Sequence, residues 1–249
     1  MANDQSIRCL VSGLRINRLH RGLLIAIVLV CASCVWTSPF SAETKPFRAE
    51  KINTRASFGV VSFLSDEMHL RYDGYSVLQN RHFKTNVSNW RINELLSDTI
   101  RRILVRNTTH RVGILDNRGL IDLRTGKVFM YSLFERAEDN QFDIVVSVRP
   151  YVPHETHYWE NGYGLWGSSQ WRSVQSHCAF SWVVIDVWDV RTKNKIGSNS
   201  SRTCNRDETI EVKDRLAQYS AVEQAVIERD VKRSLELSAI SALNSLGLY

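Results

Sequence analysis

The chain has 249 residues, 43% of them hydrophobic and 10% aromatic, which is enough for a substantial core, while 12 Gly and 4 Pro are too few for a fibrous or largely disordered protein. The formal charge of +6 is unevenly spread: Arg8, Arg15, Arg18 and Arg21 face only Asp4 within residues 1–42, and the remaining 28 basic and 25 acidic side chains nearly balance. That remainder is too small for the basic footprint of phosphate-backbone binding, so nucleic acid is excluded as an expected partner.

The first element in the chain is apolar. Leu23 to Trp36 runs without a charge, after four arginines and His20 and before Thr37-Ser38-Pro39, which is the pattern of a secretory signal. A spanning helix needs about 20 apolar residues, and Gly22 with residues 37–42 extends the stretch toward that length, so both a cleaved signal and a retained anchor are open. In either case the basic flank stays cytoplasmic and everything after residue 42 lies outside the cytoplasm. Cys31-Ala32-Ser33-Cys34 is similar to a bacterial lipoprotein box, with cysteine where leucine is usual, and makes Cys34 a lipidation candidate. The expected organisation is therefore a signal or membrane anchor over 1–42, with membrane contact through 22–36, a polar tether over 43–54, and one α/β domain over 55–249.

Cys9, Cys31 and Cys34 belong to the leader, which leaves Cys178 and Cys204 as a candidate disulfide in an oxidising compartment. Such a bond contributes on the order of 3 kcal/mol in the chain-entropy model. A hairpin turning near Thr192–Asn194 sets Cys178 a few residues beyond the point opposite Cys204; a bulge would absorb that offset, and without one both are buried thiols.

Ala56 to Leu64 predicts a buried strand, followed by extended segments Met68–Tyr72 and Ser76–Leu78 around an Asp73-Gly74 turn. From Ile92, the apolar residues Leu95, Leu96, Ile100, Ile103 and Leu104 have helix spacing, with Ser88 or Asn89 placed to cap. Residues 111–115 predict a short strand, 117–139 an irregular or helical stretch, and Phe142–Pro150 a strand. Tyr151 to Trp171 interleaves Tyr158, Trp159, Tyr163, Trp166 and Trp171 with glycine and polar residues, an aromatic-rich loop expected to bind a ligand or partner. The alternative is a long hairpin whose aromatics cover the domain's own sheet. Phe180–Val190 and Lys195–Ser198 predict a hairpin, and the Ser220/Glu223 capping box opens a helix closed by Gly247. The fold class expected is α/β: a mixed sheet with helices packed on it, a long β-hairpin and a C-terminal helix.

The opening strand Phe-Gly-Val-Val-Ser-Phe-Leu, the strand Phe-Asp-Ile-Val-Val-Ser-Val and the hairpin Val-Ile-Asp-Val-Trp-Asp-Val-Arg-Thr-Lys-Asn-Lys-Ile resemble the α/β domain of bacterial envelope proteins related to the TolB amino-terminal domain and the CsgG-like lipoproteins. The resemblance covers roughly residues 55–247. It implies binding and assembly in the periplasm, without catalysis.

No chemistry is specified. Gly162-Tyr163-Gly164-Leu165-Trp166-Gly167 matches the dinucleotide fingerprint in letters, but nothing in the sequence opens a helix after it, so no cofactor is expected. His154-Glu155-Thr156-His157 lacks the His-Glu-x-x-His spacing that sets two imidazoles one helical turn apart, so no metal set is expected. His177 and Cys178 point to opposite faces of a strand and cannot pair. Asp66, Glu67 and Asp186 are single carboxylates; Asp186, among tryptophans, is expected to be solvent-exposed or else buried with a raised pKa. The expected function is a non-catalytic envelope binding or assembly protein on the periplasmic side, with an envelope protein or glycan as partner. The alternatives are a hydrolase of glycan or cell wall, and a self-associating subunit of a secretion or wall-synthesis assembly.

Overall fold

A computed structural model of the chain describes residues 56–107, 109–122, 127–151, 162–169, 175–206 and 211–249. Long apolar strands dictate its centre. β1 (Phe58–Ser62) is buried along its whole length, as a strand covered on both faces must be, and it lies parallel to β4 (Val112–Ile114) on one side and to β7 (Ile144–Pro150) on the other. β2 (Glu67–Asp73) pairs antiparallel with the edge strand β3 (Arg81–Asn86) and parallel with β8 (Gly162–Ser169). β9 (Gln175–Asp189) and β10 (Asn194–Arg206) form the long hairpin, and a small separate ladder joins β5 (Ile121–Asp122) to β6 (Lys127–Val128).

β9 organises the sheet. One of its edges carries β10, and the other carries β8 along residues 175–182 and β7 along residues 183–189. β7 and β8 are thus laid end to end against one continuous neighbour. β1 and β2 are likewise interrupted between Ser62 and Glu67, and the Tyr163 hydroxyl donates a 2.8 Å hydrogen bond to the Ser65 carbonyl across the two interruptions. Eight strands make one mixed sheet with two half-sheets hung on β9.

Helices α1 (Ile92–Asn107) and α3 (Ala221–Ser245) cover the inner face, setting Leu96, Ile100, Leu104, Ile227, Val231 and Leu235 against Val60, Val146, Val183 and Ile185. On the outer face the shorter α2 (Met130–Asp139) packs Leu133 and Ala137 on Val61, Val145 and Phe142. The architecture is the mixed α/β sheet with packed helices, long hairpin and C-terminal helix that the sequence predicts. Among the described residues no helix is long and apolar enough to cross a membrane; the stretch 22–36 and Cys34 lie outside them.

Several local expectations change. The segment after Gly74 is a 3-10 turn at Val77–Gln79, and the strand follows at Arg81–Asn86, polar except for Phe83 because it is an exposed edge with no face to bury. Neither Ser88 nor Asn89 caps α1. A 3-10 turn at Ser88–Trp90 leads through Arg91 in the left-handed region (φ 54°), and it is Asn93 whose side chain ties the helix start to Ser62 and Leu64. Residues 162–169, for which the sequence leaves open a loop or a hairpin arm, are strand β8, antiparallel to β9. Gly164 is required there, since a Cβ would lie 1.9 Å from the His69 carbonyl oxygen. The Ser220/Glu223 capping box forms as expected, and Gly247 ends α3 with φ 68°.

Candidate binding face

The side chains of alternate residues on a strand share a face, so the register fixes which groups meet on the outer surface of the half-sheet that α2 does not reach. Arg71 lies opposite Trp166, Trp166 opposite Cys178, and Arg202 opposite Trp182, while Cys204 faces Phe180. These seven residues line one shallow pocket. The Trp166 indole donates a 2.7 Å hydrogen bond from Nε1 to Asp73 Oδ2, and Asp73 is also held by Arg71 Nε at 2.9 Å. Tyr151 stacks on Trp182 with centroids 4.1 Å apart and planes within 3°, and the Arg202 guanidinium sits 5.7 Å from the centre of the same indole.

Cys178 and Cys204 form a disulfide with Cα atoms 5.5 Å apart. The ladder shows why it closes. From the turn, Asn194 pairs with Asp189 and Lys195 with Trp188; a bulge at Ile196 then shifts the register so that Gly197 pairs with Val187. Without that extra residue Cys204 would lie opposite Ala179 and point at the helices, away from Cys178. With it, Cys178 lies opposite Arg206, and the two cysteines sit diagonally on the same face.

Further along the outer face Asp186 is 2% exposed, which rules out the solvent-exposed alternative. It is buried and ion-paired: Oδ2 lies 2.6 Å from Arg149 Nε and Oδ1 3.3 Å from Lys195 Nζ, and Ser198 Oγ donates a 2.6 Å bond. Its partners come from two neighbouring strands, which no local reading supplies.

Of the aromatics expected to bind, Trp166 is half-buried on this outer face. Tyr163, an odd number of residues away, is 1% exposed on the helix-covered face, and burial pushes its phenol well above the usual range. Tyr158 and Trp159 lie outside the described residues, in the chain segment between Tyr151 and Gly162. Both ends of that segment are tied to Trp182, through the Tyr151 N–H to its carbonyl and through the Gly162 pairing. Trp171 and the His154–His157 motif also lie outside. Sequence reasoning passed over Trp182, Arg71, Arg202 and Tyr151 as a group; the signal that could have found them is the strict alternation of Cys178, Phe180 and Trp182.

The parallel strands β1 and β4 end at a second concavity lined by Asn93, Glu94, Asp98, Asp116, Asn117 and Arg118. Every carboxylate there has an arginine: Glu94 pairs with Arg91, Asp98 with Arg101 at 2.7 Å and Arg102 at 3.2 Å, and Asp116 with Arg118 at 2.7 Å. The Arg118 backbone N–H, above all, holds the Asp116 carboxyl below its ordinary value. His177 points inward, opposite Gly167, and among the described residues neither ring nitrogen has a hydrogen-bond partner; burial lowers its pKa, against a smaller opposing effect of Glu211.

No family model and no curated protein matches the chain. Solved structures similar to it include the PelC dodecamer from Paraburkholderia phytofirmans (10% identity, 78% of this chain and 89% of that chain, TM-score 0.38). Two others are protein XCC0632 from Xanthomonas campestris (7%, 78% and 86%, TM-score 0.41) and lipoprotein GNA1162 from Neisseria meningitidis (13%, 74% and 99%, TM-score 0.32). None of the three carries a TolB or CsgG name, and likeness at this level assigns neither activity nor partner to this chain.

Proposed function

We propose that this protein is a non-catalytic binding or assembly protein of the bacterial cell envelope, exported or anchored through residues 22–36, with residues 55–249 as its single α/β domain. Its contact surface is the outer face of the β2-β8-β9-β10 half-sheet together with the segment 152–161. The observation that carries this reading is the gathering of Trp166, Trp182, Tyr151, Arg71 and Arg202 on one face, at the point where the segment bearing Tyr158 and Trp159 leaves and rejoins the sheet. Aromatic and arginine side chains on a surface are the usual anchors of protein and glycan contacts. The arginine-flanked apolar leader supports the envelope address, and the disulfide accords with an oxidising compartment.

Chemical cross-linking in intact cells followed by purification from membranes tests it. The wild-type chain should recover a defined adduct, and Trp159→Ala or Trp182→Ala should lose the adduct with the far-UV circular dichroism unchanged. Loss of the dichroism instead would place these rings in the core. Recovery of the chain unprocessed from the soluble cell interior would remove the envelope reading altogether.

Self-association is a second reading, favoured by the outer edge of β10, which has no strand partner among the described residues. Light scattering on the purified chain distinguishes a subunit that assembles with its own copies from a monomeric adaptor.

A further inference from the structure

On the edge of the open half-sheet, β2 and β3 bring two histidines together. His69 lies opposite Lys84 and His82 opposite Arg71, so the two imidazoles are diagonal neighbours on the outer face of an antiparallel ladder. His69 Nδ1 and His82 Nε2 are 2.9 Å apart, and the ring planes lie within 6° of each other with centroids 5.2 Å apart. A centroid separation that much larger than the nitrogen separation describes rings meeting nitrogen to nitrogen, one donating and the other accepting. We propose that His69 Nδ1 and His82 Nε2 bind a divalent transition-metal ion of the zinc and copper type on this sheet edge.

Imidazole is the side chain such ions prefer, at metal–nitrogen distances of about 2.0–2.1 Å. Two nitrogens on a tetrahedral ion then lie ~3.3 Å apart, so the pair must open by a few tenths of an ångström and both rings must tilt until their lone pairs converge on the ion rather than on each other. The register is fixed by the ladder from Glu67↔Asn86 to Tyr72↔Arg81, so the Cα positions need no rearrangement. Both facing nitrogens must be unprotonated to hold the ion, so the proton shared across the N···N contact leaves that contact on metal binding.

The flanking cations do not oppose an incoming ion with their full charge, because each has a carboxylate: Arg71 Nε is 2.9 Å from Asp73, and Lys84 Nζ is 3.7 Å from Glu67. Among the described residues no three metal-ligating side chains gather. Two protein ligands leave about two coordination positions on a tetrahedral ion for water or for a donor from a bound partner. The site is therefore suited to an exchangeable metal or a metal-bridged contact, and its validity is independent of the partner-binding role proposed above.

The test is titration of the purified full-length chain with Cu²⁺ and Zn²⁺, read by calorimetry and, for Cu²⁺, by electron paramagnetic resonance. The wild-type chain should bind one equivalent with two nitrogen ligands in the copper spectrum. His69→Ala and His82→Ala should each weaken that equivalent tenfold or more, whereas His110→Ala leaves it unchanged. His69→Asn and His82→Asn keep the size and polarity of the edge, and melting curves on all variants separate lost binding from lost folding. Unchanged affinity and stoichiometry in folded His69→Asn and His82→Asn would overturn the proposal, as would a copper spectrum that neither substitution alters.

Discussion

The two halves of the sheet's outer face differ in what completes them. Over β1, β4 and β7 the surface is apolar and α2 closes it with Leu133, Ala137 and Phe142. Over β2, β8, β9 and β10 the corresponding positions hold Arg71, Trp166, Trp182 and Arg202, with a disulfide. A helix of ten residues does not span both halves, and among the described residues cross-strand pairs and a covalent bond, with no helix, hold the outer face of the second half. The same eight strands thus supply one region whose outer face a helix buries and another whose outer face is made of aromatic and arginine side chains.

The contrast can be broken by substitution. Leu133→Ala removes a fully buried side chain from the covered half and should cost about 2–5 kcal/mol in urea unfolding, whereas Trp182→Ala on the open half should cost clearly less. Equal losses would mean that the open face is core after all. Cys204→Ser should lower stability by roughly 3 kcal/mol through the lost constraint on the unfolded chain, and dithiothreitol should reproduce that loss in the wild type but not in the variant.

The smallest effect sharpens the boundary between the halves at His177, which lies behind the open face and points at the helices. Burial holds its folded pKa below the ordinary value, so the unfolded chain takes up the proton first as pH falls. This contribution is fully present above about pH 6.5, and stability declines below it. Urea midpoints at about pH 7.5 and pH 5 should show the decline in the wild type. His177→Leu should flatten it; an identical slope in both would assign the effect to other groups.

How much of this was legible in the sequence depended on whether a signal was local. α3 announces itself through Ser220 and Glu223, and β1 through an unbroken apolar run whose burial on both faces follows from its length. β8 did not, because glycines at 162, 164 and 167 read as loop. In the ladder Gly162 and Gly164 are the small members of an alternation whose large members, Tyr163 and Leu165, face the core. β3 was missed because an edge strand with no buried face carries no hydrophobic period. The ion pairs of Asp186 were not legible because Arg149 and Lys195 reach it from other strands, and the disulfide stayed undecided because one bulged residue sets which way Cys204 points. The His69–His82 pair has no signature along the chain; the turn between β2 and β3 creates it.

The end-to-end arrangement of β7 and β8 makes the span from Tyr151 to Gly162 a natural graft point. Because β9 dictates the pairing on either side of the gap, the intervening peptide can change in length or content without displacing a single rung. The framework of β7, β8 and β9 is thus set independently of what lies between Tyr151 and Gly162.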